Sequence, residues 1–222
     1  MTTIAKIAIS VIFSILLMSC GFTPGIQGNG NVTITKRDTS KQFEQIEVSR
    51  GLDVYLTQDD ITKISVEADE NLQDIITTEI NNGVLKISTI ENIGSSTSKK
   101  ISVSFNNIES ISSSSGSDIY TTNTIVVESL KLESSSGADL EAEVETKNLE
   151  CTSSSGSDLK VSGTTKKLYV KASSGSDINA SNLVAEYGNA SASSGSDITL
   201  NTSGDLDSKS SSGGSIRNIG KD

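Results

Sequence analysis

The stretch Ser112-Ser113-Ser114-Ser115-Gly116-Ser117-Asp118-Ile119 returns in related form along the rest of the chain. The glycines of the six copies are Gly116, Gly137, Gly156, Gly175, Gly195 and Gly213, at steps of 21, 19, 19, 20 and 18 residues. A nearly constant step of this size is typical of a solenoid, in which each repeat forms one coil and stacks on its neighbours. The sequence therefore predicts coils of about 19–20 residues.

Apolar residues keep fixed positions relative to each glycine. Around Gly116, for example, Ile111 stands five residues before the glycine and Ile119 three residues after it. Because side chains alternate between the two faces of a strand, this frame predicts a strand on each side of a glycine corner. A flexible serine-rich linker is the alternative, but a linker would not place an aliphatic residue three positions after every glycine. We therefore predict an all-β, parallel solenoid.

The repeat begins earlier than its serine-rich copies suggest. Gly51 has the same frame, with Asp53 two residues later and Val54 three residues later. We therefore interpret Gly51 as a further corner and predict one solenoid domain over residues 32–220. Its less regular part covers residues 32–107, and the serine-glycine-aspartate repeats cover residues 108–220.

The aspartates two residues after the glycines are the one group with chemical potential. They are Asp53, Asp118, Asp139, Asp158, Asp177 and Asp197. If the coils stack in register, neighbouring carboxylates lie about 4.8 Å apart. Three interpretations stay open: the carboxylates cap the N–H groups of their own corners, they bind Ca²⁺ as a ladder, or they contact a carbohydrate or another ligand. No other metal or cofactor is predicted.

The N-terminus has the order of a secretory signal. Lys6 precedes a mainly apolar segment over residues 7–17, which is too short to span a bilayer. Leu17-Met18-Ser19-Cys20 resembles a bacterial lipobox, which implies cleavage before Cys20 and lipidation of its thiol. We therefore predict a signal peptide over residues 1–19 and membrane attachment through the lipid on Cys20. The glycine-rich residues 20–31 are predicted to be a flexible tether.

Charge and composition restrict the partners. Removal of residues 1–19 removes only the cation Lys6, so the net charge of −10 becomes −11. Nucleic acid is therefore not expected as a partner, because it needs a basic surface. Cys151 falls in the apolar column five residues before a glycine, which predicts a buried small hydrophobic residue and not a nucleophile.

The phased Gly-Ser-Asp-Ile copies, the opening Arg50-Gly51-Leu52-Asp53-Val54 and the lipobox together resemble the bacterial family described as putative auto-transporter adhesin, head GIN domain. The resemblance covers roughly residues 32–220. It implies a right-handed β-helix-like fold in secreted or lipid-anchored proteins of Bacteroidetes-type bacteria, and it supplies no catalytic residues. Since no Asp follows Cys20, resemblance to lipoprotein sorting implies the outer membrane, with the side that the domain faces left open.

Three functions are compatible with these observations. The first is a non-enzymatic, lipid-anchored envelope protein, an adhesin or binding module for a glycan or an envelope or host surface protein. The second is a polysaccharide-active β-helix enzyme, with pairs such as Asp118 and Asp139 as acid and base. Against it, the chain has no His or Trp, and the repeated aspartates have similar surroundings although acid and base need different ones. The third is a structural envelope protein without a specific ligand.

Overall fold

The computed structural model describes residues 24–220. The predicted signal peptide and Cys20 lie outside these residues, and both stay predictions. The described chain contains strands and one short 3₁₀ helix, Glu70–Leu72. Its strands are β1 (Val32–Lys36), β2 (Gln45–Val48), β3 (Asp53–Gln58), β4 (Lys63–Asp69), β5 (Ile76–Asn81), β6 (Val84–Thr89), β7 (Lys99–Phe105), β8 (Ser110–Ser114), β9 (Asp118–Thr121), β10 (Ile125–Val126), β11 (Ser129–Ser135), β12 (Asp139–Ser154), β13 (Asp158–Ser173), β14 (Asp177–Ala192), β15 (Asp197–Thr202), β16 (Leu206–Ser210) and β17 (Ser215–Asn218).

The all-β, parallel solenoid predicted from the sequence is confirmed. Strands β12, β13 and β14 each run from one glycine corner to the next, and neighbours pair in parallel over most of their length. The residues three positions after the corner glycines align with one another: Leu140 pairs with Leu159, and Leu159 pairs with Ile178. The sequence step of the glycines is therefore the length of one coil.

The corners divide the coils into two faces. Before the corner, parallel strands stack in the order β6, β2, β8, β11, then the second halves of β12, β13 and β14, then β16. After the corner, the order is β7, β3, β9, then the first halves of β12, β13 and β14, then β15 and β17. Gly51 joins β2 to β3 within these stacks, which makes it a corner of the same series.

The core between the faces consists of aliphatic columns that continue from coil to coil. Leu132, Cys151 and Val170 are paired in adjacent strands and are almost fully buried. Because the inward positions carry aliphatic side chains of one to four carbons and few aromatic rings, the interior is thin. Cys151 is a buried free thiol, and burial raises its pKa far above the usual range.

Residues between β3 and β8 form a cap that the sequence did not predict. The chain leaves the first coil after β3, and then β6 and β7 return as parallel neighbours on its outer side. Strands β4, β5 and β1 complete the cap by antiparallel pairing, with β5 and β6 joined at Asn82-Gly83. Asn82 and Gly83 have φ of 51° and 80°, as expected for a tight hairpin turn with Asn-Gly.

The described part of the predicted tether, residues 24–31, lies against this cap, which differs from the expectation of a flexible segment. The N–H groups of Ile26 and Gly28 donate to the carbonyls of Asn92 and Ser95, at 2.8 Å each. A Cβ on Gly25 would lie 2.4 Å from the nitrogen of Gly94. Glycine therefore serves here for close backbone approach and not for flexibility.

A buried carboxylate fixes the same segment. Asp69 is fully buried, and its oxygens accept hydrogen bonds from the N–H groups of Gly30, Thr97 and Ser98. Burial raises the pKa of this carboxyl, but the three N–H donors outweigh that effect and hold the net pKa below its usual value. Asp69 therefore joins the N-terminal segment to the loop before β7.

The last coil ends the solenoid with polar residues at inward positions. Ser208 and Ser210 pair with Ala190 and Ala192 of the preceding coil, yet both serines are exposed. Polar terminal coils are expected in solenoids, since the end of the stack meets water. No helix among the described residues is long and apolar enough to cross a membrane.

Candidate functional site

Each glycine corner consists of two successive residues with positive φ. The corner glycines 51, 116, 137, 156, 175, 195 and 213 have φ between 66° and 78°. The preceding residues, Arg50 and then serine in six copies, have φ between 50° and 67°. The sequence identified the glycine, but it did not predict that the serine before it has the same left-handed backbone, which L residues adopt at a cost.

Backbone hydrogen bonds between coils hold the corners. The N–H of Gly156 donates to the carbonyl of Ser174 in the next coil, and the N–H of Asp158 donates to the carbonyl of Ala138 in the previous coil, both at 3.1 Å. The corners at Gly116, Gly137, Gly175 and Gly195 have the same two bonds at 2.9–3.2 Å, and in the last coil Ser215, at the position of the aspartate, donates to the carbonyl of Ser196 at 2.9 Å. The corner N–H groups are thus satisfied by the stack itself.

Two small residues of each complete motif, three positions before the glycine and one position after it, are buried below the corner, and both are serines in the copies at Gly116 and Gly156. Ser153 Oγ donates to the carbonyl of Ser157 at 2.9 Å, and Ser157 Oγ donates to the carbonyl of Ser134 in the previous coil, also at 2.9 Å. The residue three positions before each glycine shares a strand face with the apolar residue five positions before it, so the sequence predicts that it is buried. The residue one position after the glycine was not recognised as buried from the sequence. The signal was available, since +1 and +3 differ by two residues and so share one face of the strand.

The aspartates stand in one continuous ladder. The register pairs Asp53 with Asp118 and then continues through positions 139, 158, 177 and 197. Lys100 precedes the ladder at one end and Ser215 follows it at the other. Asp53 and Asp118 are half-buried, and the other four are exposed.

The ladder carboxylates do not cap their corners. Within residues 24–220, none of the six accepts a hydrogen bond from a corner N–H group, because those groups bond to carbonyls of adjacent coils. Capping, one of the three interpretations of the aspartates, is therefore wrong. The four exposed carboxylates, at positions 139, 158, 177 and 197, point their charge to solvent, and water reduces the repulsion of each neighbouring pair among them to under ~1 kcal/mol.

One end of the ladder differs from the rest. Burial raises the pKa of Asp118, the charges of Asp139 and Asp53 raise it further, and Lys99 lowers it. Lys99 Nζ lies 3.9 Å from the carboxylate of Asp53 and also donates to the carbonyl of Gly51. The ladder therefore has an electrostatically distinct end beside the cap.

Two tyrosines accompany this end of the ladder. The rings of Tyr55 and Tyr120 stack with centroids 5.5 Å apart, and Lys100 Nζ lies 4.3 Å from the centroid of Tyr55. Both stand two residues after a ladder aspartate and so point to the same side as the ladder, a signal that the sequence contains but that was not used to predict them. Since Lys100 and the neighbouring ring cover the faces of Tyr55, these rings stabilise the sheet surface.

A Ca²⁺ ladder stays a prediction. Among residues 24–220, no group of three or more acidic, cysteine or histidine side chains is arranged to hold a metal ion. Two adjacent ladder carboxylates still leave room for a cation that shares its other ligands with water. The carboxylate oxygens of the ladder can also accept hydrogen bonds from the amines or hydroxyls of a partner.

The geometry has counterparts among known proteins. The family model described as putative auto-transporter adhesin, head GIN domain, matches residues 42–221. No curated protein matches the chain.

Several solved structures share this fold. A structure described as a putative adhesin from Bacteroides fragilis has a TM-score of 0.80 at 20% identity and covers 88% of this chain and 100% of its own. A putative lipid binding protein from Parabacteroides distasonis has a TM-score of 0.67 at 20% identity, over 88% and 97%. A putative adhesin from Parabacteroides merdae has a TM-score of 0.66 at 15% identity, over 89% and 100%. At these identities the likeness concerns the fold alone.

Proposed function

Since this chain belongs to the family described as putative auto-transporter adhesin, head GIN domain, we propose that it is a non-enzymatic, lipid-anchored envelope protein that binds partners through its solenoid surface. The lipid on Cys20 attaches it to the outer membrane. A glycan or a surface protein of the envelope or host is the partner.

The observation that carries this proposal is the repeated outward chemistry of the coils. An aspartate recurs two residues after six successive corner glycines, and these aspartates stand in register along the solenoid axis. Such a ladder suits an extended, repeating ligand, because each of these coils offers an equivalent carboxylate. The position of the N-terminal segment on the cap supports the same function, since it leaves the repeats at the end away from the anchor.

The enzymatic alternative depends on a single feature, the raised pKa of Asp118 beside Asp139. A general acid and a general base need environments that separate their pKa values, and burial together with the charges of Asp139 and Asp53 raises the pKa of Asp118. A reducing-sugar release assay on plant and microbial polysaccharides, with Asp118→Asn as the matched variant, tests this alternative. Release by the native chain that the variant lacks would replace the binding proposal.

The binding proposal is tested in cells that produce the full chain. Metabolic labelling with a fatty acid is expected to label the native chain and not Cys20→Ser, which should also be lost from the membrane fraction. Cells with the native chain are expected to adhere to surfaces coated with oligosaccharides or envelope proteins more strongly than Cys20→Ser cells. Labelled, membrane-retained protein that increases adhesion to none of these surfaces would contradict the proposal.

A further inference from the structure

A groove of about 610 Å³ lies on the face formed by the strands that precede the corners. It lies at the beginning of these strands, and the serine-glycine-aspartate motif lies at their other end. Its lining includes the half-buried Val127, which packs on the core, and Leu130 and Leu149 lie buried beneath it. Its walls carry Lys131, Glu150 and Tyr169, which occupy paired positions in three adjacent coils. The groove therefore runs along the solenoid axis.

The wall side chains are available to a ligand. The side chain of Tyr169 is 50% exposed, and its backbone pairs with Glu150 and Asn189 in the adjacent coils. The carboxylate of Glu150 accepts no hydrogen bond from any residue between 24 and 220, and Asn148 uses its amide nitrogen on Ser129 Oγ at 3.1 Å, which leaves its carbonyl oxygen. The groove thus combines an aromatic ring, a half-buried aliphatic side chain and free acceptors.

The chemistry of the groove favours a sugar over a peptide strand. The backbone groups of β11, β12 and β13 are already paired on both sides, so an extended peptide cannot add to the sheet. A saccharide needs only side chains: its C–H face packs on an aromatic ring, and its hydroxyls bond to amide and carboxylate oxygens. Residues from four successive coils line the groove, a length of about 14 Å at the spacing of strands.

The charge of the groove narrows the class of sugar. Glu109, Glu128 and Glu150 line it together with one cation, Lys131. Lys131 pairs with Glu133, and Glu128 pairs with Lys147, at 2.9 Å each. Glu109 and Glu150 therefore give the groove a net negative charge. Anionic sugars are therefore repelled.

We propose that this groove binds a short, linear, uncharged oligosaccharide that lies along the solenoid axis with one sugar ring on Tyr169. This inference rests on the proposed binding function and gives it a ligand class and a location. The groove is separate from the aspartate ladder, which lies on the face after the corners.

The test is a binding measurement by calorimetry on the full chain in detergent, with cellotriose, mannotriose and chitotriose as neutral probes and trigalacturonate as the anionic probe. At least one neutral probe is expected to bind, and trigalacturonate is not. Tyr169→Ala should weaken binding roughly tenfold, the order of one aromatic contact, and Tyr169→Phe should keep it within about threefold, since the ring is retained. Tyr120→Ala, on the other face, is the matched control and should leave binding unchanged.

The outcomes separate this inference from the proposed function. Binding of a neutral probe that Tyr169→Ala does not weaken would overturn the groove and leave the binding module intact. Tight binding of trigalacturonate would overturn the ligand class. A chain that binds none of the four probes but still increases adhesion to envelope proteins would overturn the sugar ligand alone, whereas loss of adhesion as well would overturn both.

Discussion

Neutralising one aspartate in the middle of the ladder should stabilise the protein. Asp158 is exposed and has Asp139 and Asp177 as neighbours in register. At about 4.8 Å, each pair of carboxylates repels by under ~1 kcal/mol in water. In the unfolded chain these residues are about 19 positions apart, so most of the repulsion exists only in the folded state. Asp158→Asn is therefore expected to raise the free energy of unfolding by about 0.5–1.5 kcal/mol at low salt.

Thermal unfolding followed by circular dichroism measures this effect. A gain of 1 kcal/mol corresponds to a rise in Tm of roughly 2–4 °C for a domain of this size, and the rise should shrink at 1 M salt, where screening extends over about 3 Å. Asp158→Ala also removes the hydrogen-bonding capacity of the side chain, and its Tm should still be no lower than that of the native protein. Asp60→Asn, exposed and outside the ladder, is the control and should change little. A loss of stability in both Asp158 variants, independent of salt, would refute the reasoning and return the carboxylate to a capping role.

Four further outcomes follow from the same structure. If Ca²⁺ bridges the ladder, millimolar Ca²⁺ should raise the Tm and a chelator should reverse the rise; equal Tm values in both conditions would exclude it. Gly156→Ala should cost about 1 kcal/mol in urea unfolding through its φ of +66° alone, because no atom lies within 4 Å of the added Cβ. Gly163→Ala should cost more, since its Cβ would lie 2.0 Å from the carbonyl oxygen of Val144, and equal losses would argue against this distinction. Ser157→Ala should cost about 1 kcal/mol, measured in the same way, through the lost bond to the previous coil. The pKa of Asp69 is lowered in the folded state, so its contribution to stability is present above the pKa of the unfolded chain and is lost as the pH falls through the folded value. Asp69→Asn should therefore lower the Tm at neutral pH and make the Tm fall less steeply in acid. An equal decrease in Tm at all pH values would contradict this assignment.

The repeated part of the fold was predictable because its information is local and periodic. Gly116 and its successors mark each corner, and Ile119 and its counterparts mark the inward face, so the register follows from the step alone. The burial of the residue one position after each glycine follows from the same alternation, although it was not among the sequence predictions. The cap could not be predicted in this way, since its contacts are not repeated. Asp69, for example, bonds to Gly30 and Thr97, residues 39 and 28 positions away, and no pattern in the sequence pairs them.

The candidate sites likewise include one part that the sequence predicts and another that depends on the tertiary structure. By itself, the sequence determined the solenoid, the glycine corners and the column of aspartates, because stacking in register converts a repeat in sequence into a ladder in space. Only the tertiary structure decided that the ladder carboxylates are free of their corners, since the competing hydrogen bonds come from carbonyls one coil away. It also decided that Tyr169, Glu150 and Lys131 line one groove. Those three side chains differ in type and belong to three coils, so their meeting depends on how the coils stack and not on any motif that a single repeat contains.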